Sequence, residues 1–330
     1  MGSGGAWRRV TGRFRGSGCV GWIRCRSGAR HGRRRRPRAA RLPPAPLPLA
    51  PRDRTPLAPV YLPPIGFGVW QITGGDAALV IRHAIDAGYP LIDTASAYGN
   101  EDAVGSALRQ AGGAAEKVQV TTKVWMADYD DVPRAVDVSR RLLGRDRIDT
   151  VLLHWPSPHL FDRTIRAWDA LAALAEEGII GSAGVSNFTP AHLDRLDAAG
   201  GRRPDLNQIE RHPYFSQAGA LAAHRARGIA TQAYSPLGGP TDGRVRPAED
   251  SVVAAVAEEA GASPAQVILA WHRAHGVSTI PRSGNRARIE ANLASLEVAL
   301  TPDQVARLDA LETGRRLTAD PDVVDEFTFA

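Results

Sequence analysis

Four side chains that can take up or release a proton stand in order along this chain: Asp93, Tyr98, Lys123 and His154. Three of them close a short apolar run. Pro90-Leu91-Ile92 leads into Asp93, VQVTT into Lys123 and TVLL into His154. Tyr98 follows Asp93 by five residues, just ahead of the acidic pair Glu101-Asp102 that opens a helix. Singly, each reads as ordinary structure. An acid at a strand end is often a helix cap, a lone tyrosine a half-buried aromatic, a lone histidine a satisfied structural one. Lys123 is more telling, because the chain uses arginine almost everywhere and its only lysines are Lys117 and Lys123. A lysine ending an apolar run suggests a packed place that needs a compact ammonium, for which arginine is no substitute. All four fall at predicted C-terminal strand ends, where α/β barrels keep their chemistry.

The elements that must position them alternate from Val60 onward. Apolar runs predict strands at 65–70, 90–94, 118–124, 150–155, 181–186, 206–210, 229–235 and 277–282. Between them, DAALVIRHAIDAG and TIRAWDALAALAEEG repeat apolar residues three and four apart and end on Gly, which predicts capped helices. Pro190 and Pro302 each follow a Thr, the pattern of an N-cap with Pro in the first turn. Eight such repeats over about 270 residues predict a (β/α)8 TIM barrel in a single domain, residues 58–330. An open doubly wound sheet would need G-x-G-x-x-G after its first strand. Gly66-Phe67-Gly68 runs instead into Val69-Trp70-Gln71, without the third glycine.

Residues 1–57 are of another kind, rich in Gly, Arg and Pro, and predict a disordered basic tail. The chain's net +6 is the balance of +14 in residues 1–59 and −8 in the rest. No nucleic-acid binding is therefore expected of the barrel; the tail reads first as a non-functional extension and second as a basic arm for a polyanion or anionic surface. Both cysteines, Cys19 and Cys25, lie in the tail, so the body has neither a disulfide framework nor a cysteine-bound metal, and no metal site is expected. No stretch approaches the ~18 apolar residues of a membrane span, and no secretory signal is present. A cytoplasmic location is expected.

The tetrad and its flanks resemble the aldo-keto reductase family. The resemblance runs from residue 60 to 330 through GFGVWQ, IDTASAYGNE, TTKVW, LLHWP, GVSNF, NQIE, AYSPLG and IPRSGNRARIEAN. It implies reduction of a carbonyl, with hydride arriving at carbon and a proton reaching the developing alkoxide. Tyr98 would be the acid. A free phenol titrates near ~10, and Lys123 beside it would lower that value towards the working range. Asp93 would hold Lys123 charged, and His154 would hydrogen-bond and orient the substrate oxygen.

The same resemblance implies a nicotinamide cofactor. Ser186, Asn187 and Gln208 would bind its carboxamide and Tyr234 would stack on its ring. Ser235, Leu237 and Gly238 would begin a short loop over the pyrophosphate, running to about Arg246. Arg282, Ser283 and Asn285 stand where the family grips the adenosine 2′-phosphate, with Arg288 on adenine or phosphate and Asn292 nearby. Two guanidiniums and a hydroxyl suit a phosphomonoester, which favours NADPH over NADH. Trp70, Trp125 and Trp155 would wall an apolar pocket for a small carbonyl substrate. A monomer is expected, as is common in the family.

Some positions depart from the family. Pro90 stands in place of arginine, and Gly181 and Ala183 in place of a basic and a larger apolar residue. Ala291 stands in place of a glutamate on the adenine amino group, a loss of ~1 kcal/mol on the scale of one net hydrogen bond. The usual hairpin under the barrel shrinks to APVYLPP. The short loop resembles the prokaryotic branch that includes 2,5-diketo-D-gluconate reductases. A competing reading is a non-catalytic, redox-sensing barrel similar to potassium-channel β subunits. The intact tetrad argues against it.

Overall fold

A computed structural model of the chain describes residues 61–239 and 246–328. The tail expected over residues 1–57, and residues 240–245 of the loop expected to end near Arg246, lie outside the described residues. Eight parallel strands pair in chain order: β1 (Phe67–Gly68), β2 (Leu91–Asp93), β3 (Gln119–Val124), β4 (Ile148–Leu153), β5 (Ile180–Ser186), β6 (Leu206–Glu210), β7 (Ala230–Tyr234) and β8 (Ser278–Thr279). The sheet closes where Ile65 bridges Thr279 in parallel. There the Gly66 N–H donates to the Thr279 carbonyl at 2.7 Å, and the Gly68 N–H to the Pro281 carbonyl at 3.2 Å. The expected eight-stranded barrel is present.

Around it, among the described residues, lie α1 (Ala77–Ala87), α2 (Glu101–Ala111), α3 (Val132–Leu143), α4 (Phe161–Glu176), α5 (Pro190–Ala199), α6 (Ala218–Arg227), α7 (Ser251–Glu259), α8 (Pro264–Ala274), α9 (Arg286–Leu293) and α10 (Pro302–Asp309). In α1 the buried residues are Ala77, Ile81, Ala84 and Ile85, the stripe that its spacing dictates. Gly88, at a φ of 98°, ends it by donating to the Ala84 and Ile85 carbonyls. The two Thr-Pro starts behave as expected. Thr189 and Thr301 cap α5 and α10, each within a reciprocal capping box. The end of α4 differs slightly, since its cap is Glu177 and Gly178 lies one residue beyond. Among the described residues, no single helix is long and apolar enough to cross a membrane.

Strand lengths differ from the apolar runs for local reasons. β1 keeps only two ladder residues, because the chain turns away at Gln71, whose φ is 61°. β4 starts two residues before the predicted run and stops at Leu153, so His154 leaves the ladder at the rim. Gly181 also has a steric reason to be glycine. A Cβ there would drive into the Asp149 carbonyl of the neighbouring strand, so β5 has no room for the family's larger side chain.

Candidate active site

Three of the four proton-bearing side chains come directly from strand ends. Asp93 closes β2, Lys123 is the penultimate residue of β3, and His154 follows β4. Tyr98 arrives on a single 3-10 turn, Ser96–Tyr98, which Gly99 ends at a φ of 62°. That turn is tied down. The Ser96 hydroxyl donates to the Lys123 carbonyl at 3.0 Å. The buried Asn100 amide donates to the Val69 and Ile72 carbonyls at 2.8 and 3.0 Å, and accepts from the Thr94 hydroxyl at 2.8 Å. One side chain thus fixes the loop carrying Trp70 against the loop carrying Tyr98.

Lys123 Nζ uses all three of its donors. It reaches Asp93 Oδ1 at 2.5 Å, the Thr94 carbonyl at 2.9 Å and the Tyr98 hydroxyl at 3.4 Å. Because the phenolic oxygen accepts from the ammonium, its own O–H stays free to donate elsewhere. The other Asp93 oxygen accepts from Gln208 Nε2 at 2.6 Å. Asp93 and Lys123 are each 1% exposed, so their charges are compensated by each other and not by water. Burial raises the Asp93 carboxyl above its ordinary value, against the pull of Lys123 and Gln208. Burial also lowers the Lys123 ammonium, against the pull of Asp93.

The tyrosine departs from the sequence expectation. Burial first, and then the Asp93 carboxylate, push the Tyr98 phenol well above its ordinary value. Lys123 was expected to lower it. The Asp93 carboxylate, 2.5 Å from the ammonium, offsets part of that positive charge at the phenol. Tyr98 is therefore held as the protonated phenol. His154 is held neutral, because burial and then the Lys123 charge keep its imidazole well below the ordinary value. Its ring packs edge-on to Tyr98 and Trp125, with centroids 5.7 and 5.1 Å away. Among the described residues, its buried Nδ1 has no hydrogen-bond partner.

These groups open on a cavity of about 760 Å³. Its wall includes Asp93, Tyr98 and His154, all three expected tryptophans (Trp70, Trp125, Trp155), Ser186, Asn187, Gln208, Tyr234, Ser235, Leu237, Gly238 and Arg282. Lys123 stands directly behind that wall. Ser186, Asn187 and Gln208 form one bonded set. Ser186 Oγ donates to the Gln208 carbonyl at 2.9 Å, and Asn187 Nδ2 donates to the His154 carbonyl at 3.0 Å. The Tyr234 hydroxyl lies 2.7 Å from Asn187 Oδ1. Asn187 and Ser235 both hold positive φ, at 66° and 46°, which for non-glycine residues is strain of a kind that clusters at functional sites.

Ser283, Asn285, Arg288 and Asn292 stand outside this wall, at the start of α9 and along it. Asn285 caps the helix by accepting from the Arg288 N–H at 3.0 Å, and its own N–H donates to Ser283 Oγ at 3.0 Å. Arg286 is paired with Glu290 at 3.0 Å. Among the described residues, Arg282 and Arg288 make no ion pair, and Arg282 stands over the Trp70 ring at 5.9 Å.

The sequence reading missed the far side of the cavity. Leu317, Thr318 and Ala319 line it, held by the buried carboxylate of Glu210 at the end of β6. Glu210 accepts from the Leu317 N–H at 2.6 Å, the Thr318 N–H at 2.9 Å and the Thr318 hydroxyl at 2.5 Å. Burial alone would raise this carboxyl, yet donors from His212, Thr318 and Leu317 hold it below its ordinary value. The only hint in the sequence was an acid closing the strand Leu206–Glu210, with nothing to name its partner a hundred residues away.

Comparison with known proteins agrees with this arrangement. The sequence profile of the Aldo/keto reductase family matches residues 64–313. Morphine 6-dehydrogenase of Pseudomonas putida is 42% identical over 281 residues, spanning 82% of this chain and 95% of that protein. Methylglyoxal reductase DkgA of Salmonella typhimurium is 37% identical over 261 residues, spanning 79% and 94%. A crystal structure of a Gox0644 mutant in complex with NADPH superposes with a TM-score of 0.74 at 35% identity, covering 80% of this chain and 95% of that one. With the profile running through every strand of the barrel and relatives aligned over nearly their whole length, this chain belongs to the aldo/keto reductase family.

Proposed function

We propose that this protein reduces aldehydes or ketones to alcohols with NADPH, using Tyr98 as the general acid. The observation that carries the reading is the position of Lys123. Its ammonium is shared between Asp93 and the oxygen of a protonated phenol that faces the cavity. NADPH, when bound, supplies the hydride to the carbonyl carbon. The chain's own groups handle the oxygen. Tyr98 gives its proton to the oxygen as negative charge develops there, and Lys123, already in contact, stabilises the phenolate left behind. Asp93 keeps the ammonium in place. Neutral His154 carries one ring proton and can hydrogen-bond the substrate oxygen without competing as an acid.

The cavity suits such a cofactor. Its volume lies in the range of small-molecule sites, and hydroxyl and amide groups of Ser186, Asn187 and Gln208 line one wall beside Tyr234. Arg282 and Arg288, without carboxylate partners among the described residues, suit a 2′-phosphate. A relative crystallised with NADPH supports the same choice. The tryptophan wall suits carbonyl compounds with apolar groups.

The test is NADPH consumption by the full-length protein with aromatic and sugar-derived aldehydes, beside an Arg282→Ala variant. Turnover is expected in the wild type. The variant should raise KM for NADPH by about tenfold, the scale of one charged hydrogen bond, and leave KM for NADH nearly unchanged. Tight NADPH binding without turnover on any carbonyl would instead favour a redox-sensing barrel.

A further inference from the structure

Arg211 is a buried arginine that the reading above does not use. It follows β6, is 1% exposed, and its guanidinium lies 3.8 Å over the ring of Trp271. Its Nε donates to the Ser216 carbonyl at 2.9 Å, and its Nη1 lies 2.8 Å from His272 Nδ1. An arginine can only donate. His272 Nδ1 must therefore accept, which places the ring proton on Nε2. That nitrogen lies 3.3 Å from the Pro236 carbonyl, so it donates there. His272 is fully buried, and burial together with the Arg211 charge keeps it neutral, as a single tautomer requires. Burial draws the guanidinium down to about 9, so it remains a donor at neutral pH.

Pro236 belongs to the stretch from Ser235 to Gly239 that lines the cavity. This stretch needs support. Ser235 sits at a φ of 46°, and its carbonyl accepts from the Gly238 N–H at 2.9 Å. The Arg211 N–H also donates to the Tyr234 carbonyl at 3.3 Å, so one residue braces both sides of the bend.

We propose that Arg211 and His272 are positioning residues for the cofactor, a donor–acceptor relay that fixes the backbone of residues 235–239 in its binding shape. The assignment to a cofactor rests on the function proposed above; the positioning of the loop does not. The experiment separates them. Amide hydrogen exchange is followed in the full chain without NADPH, and NADPH affinity is measured by fluorescence titration, for Arg211→Met, His272→Leu and His272→Gln. Gln can accept from Arg211 and donate to Pro236, as the histidine does.

In Arg211→Met and His272→Leu, exchange at residues 237–239 should quicken while the amides of β2 and β3 stay protected. The Kd for NADPH should rise about tenfold, as expected for losing one charge-assisted bond. His272→Gln should return both readouts to within about threefold of wild type. Unchanged loop exchange in both disruptive variants would overturn the proposal, as would a lowered Tm with uniform loss of protection and an unchanged Kd. A wild type that binds no NADPH would refute the cofactor assignment, while the exchange pattern still decides whether the pair positions the loop.

Discussion

At the scale of residues, the site depends on one buried ion pair doing two things. Asp93 and Lys123 stabilise each other out of water, and the same ammonium touches Tyr98. Removing one partner strands the other. Lys123→Met should cost about 3–5 kcal/mol, because a buried carboxylate loses its counter-charge. Lys123→Met combined with Asp93→Asn should recover much of that loss, since Gln208 can still donate to an amide oxygen. Neither variant should turn over substrate. Denaturant unfolding beside NADPH consumption checks both statements. A double variant as unstable as the single would mean that Asp93 has other support. The four residue types and their order were legible in the sequence, because each stands at or close behind the end of an apolar strand. The direction of the Tyr98 shift was not. It follows from desolvation and from how fully Asp93 compensates Lys123, and spacing along a chain carries neither.

At the scale of elements, parallel strands buried on both faces read as short apolar runs, and this is why all eight strands could be placed from the sequence. Helix starts were equally legible where a Thr-Pro pair supplied the cap. The cap itself is testable. Thr301 accepts from the Gln304 N–H at 3.2 Å and opens α10, whose Leu308 shares one buried cluster with Val253, Val256 and Trp271. Thr301→Ala should lower stability by ~1 kcal/mol, read as a lower midpoint in urea at unchanged m-value. An unaltered midpoint would show that α10 does not need its cap. What the sequence hid at this scale is irregular. Residues 317–319 have no periodicity, and they dock on Glu210 through the Leu317 and Thr318 N–H groups together with the single Thr318 hydroxyl. Asn100 likewise reads as a turn residue until the loops it ties together are seen side by side.

At the scale of the whole molecule, buried histidines set the response to pH. Burial lowers His154, His192, His224 and His272, with His224 drawn down to about 4. The unfolded chain takes up these protons near ~6.5, whereas the folded protein resists them. Below that value the unfolded state binds more protons, so stability present at neutral pH is lost as pH falls from ~6.5 towards 4. Asp93 and Glu101, raised by burial, act in the opposite sense. The Tm by calorimetry should therefore fall between about pH 7 and about pH 5. A flat or rising Tm over that interval would mean that these rings are protonated in the fold.

The central claim is that Tyr98 supplies the proton, and Tyr98→Phe isolates it, since only the hydroxyl is removed. We expect kcat for an aromatic aldehyde at saturating NADPH to fall by about 10²–10⁴-fold, the usual contribution of a positioned general acid, with NADPH affinity and Tm close to wild type. Turnover within about threefold of wild type would contradict that role, because losing even one net hydrogen bond at the reacting oxygen should cost more.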